Sequence, residues 1–494
     1  MLAAGAFAGD WIQFTNDTAS RLVADASVGA NDTKEKDYIW GDVDQDGDID
    51  LIVVRKQAGT NSNGFRNVLF MNEGIADGQA IDGVLVDRTI DFIPEFMDAT
   101  NDRDVALEDL DGDGWLDIIT VTACNGCSPS LSLLPRIYMN QGANRGVWEG
   151  FVWEEVRMPS FPSTPNFNGV GVGDVTGNGS PDLYFTDSIS TLEDRLLVND
   201  GNGFFADETE ARVPSWLTTG FFGGHAVIGD LNHDGYNDIL KVDVIGPHDL
   251  RVAYNDPENL GFFTEANGEI ISNDAAEFVA IGDLNNDGLL DVVMASDHSD
   301  RYFLNQGNAP DGKVIWHNAG NGSALPNSNS LFDNNTVIAD LDNDGFNDVL
   351  VADVDVDLPS CVSRLDIHHN LADPPFVTFE EDVGNLPTKG GGPLRGTHDI
   401  AVFDIDGDCW LDLVIGTCDG TTVWINQGKG NICPASCPGD IDSSGDVGVK
   451  DLLFLLGAWG PCPKKGDCLA DFDDSSDVGV KDLLFLLGAW GPCP

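Results

Sequence analysis

The chain has 494 residues, room for one large repeat fold and a small domain. Its 83 acidic residues face 25 basic ones, a formal net charge of −58, which repels nucleic acid and anionic membrane surfaces and draws cations. No stretch approaches the roughly 18 apolar residues of a membrane span, so neither nucleic-acid binding nor membrane insertion is expected, while ten cysteines suit an oxidising, extracellular compartment.

In chain order, residues 1–9 carry Ala6-Phe7-Ala8, similar to a signal-peptidase site, and read as a residual signal peptide or a disordered N-terminus. From residue 10 to 430 one pattern recurs seven times: acid, x, polar, x, polar, Gly, x, x, Asp, then an apolar run. Successive copies start 67, 65, 56, 53, 57 and 64 residues apart. Oxygen-bearing side chains at positions 1, 3, 5 and 9, with the carbonyl at position 7, can converge on a hard cation that takes six to eight oxygens. The candidate ligands are Asp42, Asp44, Asp46 and Asp50 in the first loop and Asp109, Asp111, Asp113 and Asp117 in the second. The third offers Asp174, Thr176, Asn178 and Asp182, only two carboxylates, and is expected to bind weakest. The fourth has Asp230, Asn232, Asp234 and Asp238; the fifth, Asp283, Asn285, Asp287 and Asp291. The sixth has Asp340, Asp342, Asp344 and Asp348; the seventh, Asp404, Asp406, Asp408 and Asp412, with Cys409 where the turn glycine belongs. Four carboxylates in one loop repel one another by several kcal/mol (about 4 kcal/mol per pair at 4 Å and an effective dielectric of 20), so Ca2+ is the expected cofactor.

Each unit also repeats four strand signals. A strand of alternating small and apolar residues precedes the loop, as at Val170-Gly171-Val172-Gly173, and a continuous apolar run follows it. A third strand ends in an Asn turn, and an outer strand carries aromatics, as from Phe151 or Phe376. Four short strands at this period predict an all-β, seven-bladed β-propeller. The chain starts on an outer-type strand, Trp11 to Phe14, and leaves the seventh unit after a third-type strand, so the N-terminal strand is expected to complete the last blade. Arg136, Arg195, Arg251 and Arg301 recur four residues before the turn Asn and are read as interblade ion pairs. The loops opposite the metal loops vary most, so a ligand site is expected on that face. There the inner strands begin with Lys36, Asp37, Arg103, Asp104, Asn168, His225, Glu277, Asn335, His398 and Asp399. Of these, Arg103, Asp104, His225, Glu277, His398 and Asp399 are the candidate ligand residues. The other histidines, His368 and His369 among them, read as surface groups. Strand direction pairs Cys409 with Cys433 and Cys361 with Cys418; repeat symmetry pairs Cys437 with Cys462 and Cys468 with Cys493.

These units resemble the FG-GAP/VCBS repeats that build the seven-bladed head of integrin α subunits, over roughly Trp11 to Lys429. The resemblance implies calcium in the loop between the first and second strands of each blade. The fold hosts adhesion proteins, lectins and enzymes, so it does not fix the function.

After a linker at 431–436, residues 437–494 form a duplicate with an offset of 31: VGVKDLLFLLGAWGPCP occurs unchanged from Val447 and from Val478. An EF-hand-like loop takes ligands at positions 1, 3, 5, 7 and 12. These fall on Asp440, Asp442, Ser444, Asp446 and Asp451, and on Asp471, Asp473, Ser475, Asp477 and Asp482. A leucine-rich helix is expected after each loop, the two packed on one another. The duplicated loop-helix resembles a type I dockerin, which implies a small α-helical module and a cohesin-like receptor. Ser476 replaces the turn glycine and Val449-Lys450 stands where cellulosomal dockerins often show Ser-Thr, which puts cohesin recognition in doubt.

No hydrolase or metalloprotease signature stands out. The chain is therefore expected to be a secreted or cell-surface, bacterial-type extracellular protein. Its leading reading is a non-catalytic calcium-binding adhesion propeller with a protein or glycan ligand. A lectin-like propeller and a calcium-dependent polysaccharide lyase or glycoside hydrolase are the alternatives.

Overall fold

The computed structural model describes residues 11–25, 27–56, 64–123, 134–161, 164–188, 193–218, 221–245, 249–274, 276–296, 299–326, 333–353, 365–381, 394, 396–428, 446–461, 470, 477–488 and 490–492. Met1–Gly407 with Leu411–Gln427 form one compact unit, and Asp408–Trp410 with Gly428–Pro494 the other.

The larger unit is a seven-bladed β-propeller. The first strands of blades 1 to 7 are Glu35–Gly41, Asp102–Glu108, Phe167–Gly173, Phe221–Gly229, Ala276–Gly282, Asp333–Ala339 and Thr397–Phe403. Each pairs antiparallel with a second strand that begins on the ninth motif residue: Asp50, Asp117, Asp182, Asp238, Asp291, Asp348 and Asp412. The first strands touch one another in an unbroken cycle, from blade 1 round to blade 7 and back, and so line the axis. Small residues are needed there. A Cβ on Gly171 would come within 3.0 Å of the Ala226 carbonyl oxygen in the next blade, and one on Gly169 within 2.7 Å of that of Gly224.

The second strands read as continuous apolar runs because each is covered on both faces. Successive side chains point to opposite faces, so Leu51 and Val53 pack with Val414 and Val423 of blade 7. Ile52 and Val54 pack with Ile118 and Tyr138 of blade 2. The same alternation continues around the ring through five further clusters, so that every blade interface holds its own core. Closure follows the expected route. The N-terminal strand Phe14–Asn16 pairs with Gly420–Asn426, Phe14 opposite Asn426, and completes the seventh sheet.

The recurrent arginines do not bridge blades. Arg195 meets Asp207 of its own blade, and Arg251 meets Asp243 and Asp249 of its own. Arg136 and Arg301 reach Asp98 and Asp274, in the connections entering their own blades. Interblade ion pairs come from other residues: Arg103 to Glu35, and the fully buried Lys241 to Asp194.

In the smaller unit, helices Val449–Gly457 and Val480–Gly488 are joined by two short antiparallel pairings, Val447 opposite Gly491 and Gly460 opposite Val478. Leu455 and Leu486 are fully buried, with Val447, Ala470 and Val478. Leu452, Ala458 and Leu483 pack against this small core, partly buried. Leu453, Phe454 and Leu456 stay exposed, as do Leu484, Phe485 and Leu487, because a nine-residue helix turns only one narrow stripe inward. Asp440, Asp442, Ser444, Asp471, Asp473 and Ser475 lie outside the described residues, as do Cys433, Cys361 and the tail cysteines.

Candidate metal centres

Each of the seven motif loops folds by the same local rules. Positions 4 and 6 adopt the left-handed conformation, as at Asn343 (φ 54°) and Gly345 (φ 89°). In the seventh loop Cys409 takes that conformation too, at φ 68°, so the turn survives without glycine, at a cost of about 1 kcal/mol. The first aspartate draws the loop around itself. In the sixth loop Asp340 Oδ1 accepts the Asp344 amide at 3.1 Å and Oδ2 the Gly345 amide at 2.8 Å.

The ninth aspartate is almost wholly buried in all seven blades. Its Oδ2 accepts the amide of motif position 2, and its Oδ1 accepts the amide of the turn asparagine at the end of the third strand. For Asp348 these are Leu341 N at 3.0 Å and Asn370 N at 2.8 Å. The other six loops repeat both bonds. Burial, with Asp342 and Asp340 beside it, pushes the Asp348 carboxyl up to about 8 against those two donors. Asp412 and Asp238 are pushed up to about 8, and Asp117 and Asp291 to about 7, burial being the main cause throughout.

Four loops bring three carboxylates together, with oxygens all within 4.8 Å of one another. The groups are Asp42, Asp44 and Asp50; Asp109, Asp111 and Asp117; Asp340, Asp342 and Asp348; and Asp404, Asp406 and Asp412. These are motif positions 1, 3 and 9. Position 5 does not join them: its side-chain oxygen accepts the amide of position 7, as Asp46 does from Asp48 at 2.9 Å, and likewise Asp113, Asn178, Asp234, Asp287, Asp344 and Asp408. Loops 3, 4 and 5 form no such triplet among the described residues, having Thr176, Asn232 and Asn285 at position 3. A fifth group joins Asp342 and Asp344 to His369, whose Nε2 lies 3.4 Å from Asp342 while Trp11 stacks on its ring at 4.0 Å. His369 is therefore engaged, and His368 is fully buried rather than at the surface, because both lie within the third strand Leu365–Asn370.

A model of the FG-GAP-like repeat matches residues 109–185, 174–240, 283–351 and 340–415, more than half of the chain, each match running from one metal loop into the next blade. The chain belongs to the FG-GAP-like repeat family. Among solved structures it is similar to an Agrocybe aegerita lectin that recognises non-reducing terminal N-acetylglucosamine, at 17% identity over 72% of this chain and 81% of that one, with a TM-score of 0.46. It is also similar to the rhamnogalacturonan lyase YesW (16% identity, 79% and 71% covered, TM-score 0.37) and the exotype rhamnogalacturonan lyase YesX (13%, 84% and 76%, 0.38). No curated protein matches the sequence.

The FG-GAP-like repeats here share one further device, which in sequence looks only like a turn. The turn asparagine donates its Nδ2 to the carbonyl of motif position 2 in the preceding blade. The seven bonds, at 2.7–3.1 Å, run Asn140 to Val43, Asn199 to Leu110, Asn255 to Val175, Asn305 to Leu231, Asn370 to Leu284, Asn426 to Leu341 and Asn72 to Ile405. The last closes the ring. The recurrence of Asn in every unit was the signal.

The expected ligand residues at the start of the inner strands are mostly engaged between blades. Arg103 pairs with Glu35, and Asp104 accepts the Val170 amide at 2.8 Å. Asp399 accepts the Tyr38 amide at 2.6 Å, and His398 is fully buried, which holds its imidazole well below the usual range. His225 Nδ1 meets the Val279 carbonyl at 3.2 Å. Lys36 Nζ donates to the carbonyls of Asp32 and Lys34, and burial brings it down to about 8. Glu277 lies on the strand Ala276–Gly282, and its side chain is outside the described residues. In the tail, Asp451 and Asp482 accept the Gly448 and Gly479 amides at 2.7 and 2.8 Å, capping the two helices.

Proposed function

We propose that this chain is a secreted, non-catalytic binding protein whose propeller is held by calcium and whose tail attaches or sorts it outside the cell. The observation that carries the calcium reading is the convergence of three carboxylates at positions 1, 3 and 9 of four loops. The donors are all oxygens, and position 9 is fixed by two backbone donors before any ion arrives, so the residues fit a hard cation. Asp42, Asp44 and Asp50 and their counterparts hold the ion; it neutralises the loop and locks the turn between the first two strands. Extracellular residence is supported by Cys409 and Cys418, neither of which is a free thiol. No helix among the described residues is long and apolar enough to cross a membrane. The tail presents the same apolar set twice, Val449, Leu453, Phe454 and Trp459, then Val480, Leu484, Phe485 and Trp490, all exposed, as a dockerin-like attachment module for a cohesin-like receptor would. The propeller's own ligand is an extracellular protein or glycan.

Melting in chelator tests the calcium reading. A ligand that binds only the native state stabilises it by about 2.7 kcal/mol per site at a hundredfold excess over its dissociation constant. The expected result is a fall of several degrees on metal removal, reversed by calcium and poorly by magnesium, which demands a tighter octahedral shell. An unchanged melting curve after verified removal refutes it.

A further inference from the structure

We propose that a cavity on blade 1 binds an organic cation, a protonated amine or a guanidinium group. The inference deepens the binding-protein reading and rests on it. The cavity has a volume of about 340 Å3 and is bounded by the first metal loop, the end of the third strand and the segment after the fourth. That is room for a lysine or arginine side chain, not merely a bare ion.

Its position in the fold is set by a departure from a pattern that five other blades show. In blades 2, 3, 5 and 6 the turn asparagine's Oδ1 accepts the amide two residues on: Gly142 at 3.0 Å, Gly201 at 2.9 Å, Gly307 at 3.0 Å and Ala372 at 3.2 Å. In blade 4, where Pro257 follows, Gly261 serves Asn255 instead, at 2.9 Å. In blade 1 the corresponding amide, Gly74, is taken by Asp77 Oδ2 at 3.0 Å within the extra turn Ile75–Asp77. Asn72 Oδ1 is left buried without a donor, in a residue only 3% exposed that lines the cavity. Its Nδ2 is committed to the Ile405 carbonyl, so its carbonyl oxygen is the polar atom left without a partner beside the cavity.

The rest of the lining asks for the same chemistry. Asp44, Asp46, Glu73, Asp77 and Asp91 contribute five carboxylates, against one guanidinium, Arg88. Arg88 is already occupied by Glu73 at 2.5 Å and Asp91 at 3.7 Å, so it offers little to an anion. A calcium ion in the first loop would engage Asp44 and still leave the cavity negative. Phe92 adds an aromatic face, which suits a cation. A ligand must therefore bring donors and positive charge; a uronate or other anion is repelled.

The test uses the full chain in saturating calcium, titrated by calorimetry with Nα-acetyl-lysine methylamide, Nα-acetyl-arginine methylamide, spermidine and a short lysine peptide. Glucose and glutamate serve as neutral and anionic counterparts. The cations are expected to bind with an affinity that falls as salt rises, and Asp91→Asn is expected to weaken them about fivefold. Asp91 is half exposed, so the variant should fold, and Asp311→Asn on another blade should change nothing. Spermidine outcompeting the peptide points to a free amine as the natural ligand, the reverse to a basic side chain of a partner protein. Absence of cation binding, cation binding indifferent to Asp91→Asn, preference for glucose, or uptake only of one more calcium ion overturns the proposal. A chain that melts in a calcium-dependent way yet binds no cation would sink this inference alone.

Discussion

Blades 6, 7, 1 and 2 are consecutive around the ring, and so are blades 3, 4 and 5, and the two arcs relieve the crowding in their acidic loops by different means. In the first arc position 3 is aspartate: Asp342, Asp406, Asp44 and Asp111. Three carboxylate oxygens then meet within 4.8 Å. In the second arc position 3 is a donor. Asn232 Nδ2 donates to Asp234 at 3.1 Å, Asn285 Nδ2 to Asp287 at 3.0 Å, and Thr176 Oγ1 to Asp174 at 3.4 Å. A neutral donor there hydrogen-bonds a neighbouring carboxylate instead of adding a third one. One residue type at one position decides whether three carboxylates meet.

The largest effect is expected from exchanging that residue. Asn285→Asp should add a calcium ion per chain, measured by metal analysis after dialysis, and make the variant more sensitive to chelator than the parent. Two like charges about 4 Å apart repel by about 4 kcal/mol at an effective dielectric of 20; solvent screening on this part-exposed loop should reduce the cost in chelator to about 1–2 kcal/mol. Asp342→Asn should do the reverse, losing one ion and shrinking the chelator effect. Equal calcium content in the two variants would mean that position 3 does not separate the arcs.

A smaller effect, and one that ignores the arcs, is expected from the asparagine latch. Asn199 and Asn370 lie in different arcs and make the same bond, at 2.8 Å, to Leu110 and Leu284 of the preceding blades. Replacing either by alanine strands a buried carbonyl, which costs about 1–3 kcal/mol. Urea denaturation should show the same loss for both, unaltered by calcium. A loss confined to Asn370→Ala would tie the latch to the metal loops instead of to the ring.

Much of this architecture was legible because repetition writes it seven times over. The motif fixed blade number and the start of each second strand, and the outer-type strand at Phe14 announced the closure with Asn426. What stayed hidden depends on distances across blades. The ninth aspartate looks like any other ligand in sequence, yet its burial and two backbone bonds make it part of the scaffold first. Asn72 and its six counterparts read as turn residues, because nothing local reveals a carbonyl of the neighbouring blade at hydrogen-bond distance. The arginines misled for a related reason: a regularly recurring position does not imply a common partner, and Arg195 and Arg251 pair within their own blades while Arg136 and Arg301 pair with the connections entering theirs. The inner-strand residues were placed at the axis end by counting, but counting could not show that Asp104 and Asp399 are spent on amides of adjacent strands.

The smallest effect sharpens the comparison at the axis, where the acidic arc is crowded a second time. Asp37, Asp104 and Asp399 belong to blades 1, 2 and 7. Asp37 lies between the other two, and its carboxyl is pushed well above the usual range by burial, then by Asp399 and Asp104. Asp399 is pushed up to about 6, burial again leading, against donors from Tyr38 N and Asn335. The cations nearby are committed elsewhere. Lys36 folds onto backbone carbonyls, Arg103 onto Glu35, and His225 Nε2 stays 3.9 Å from Asp104. Protons therefore do here what calcium is proposed to do at the rim. A carboxyl whose folded value is raised holds a proton that the unfolded chain has already released, so stability falls as pH rises from about 4, the unfolded value, through 6 and above. Asp37→Asn removes the central carboxyl. Melted side by side in saturating calcium, so that the rim loops contribute equally to both, variant and parent should coincide at pH 4. They should diverge progressively as pH rises above about 4, the variant being the more stable by on the order of 1 kcal/mol or more by pH 6. Curves that stay parallel from pH 4 to 8 would show that the axial carboxylates do not share protons, and that the acidic arc is crowded only at its metal loops.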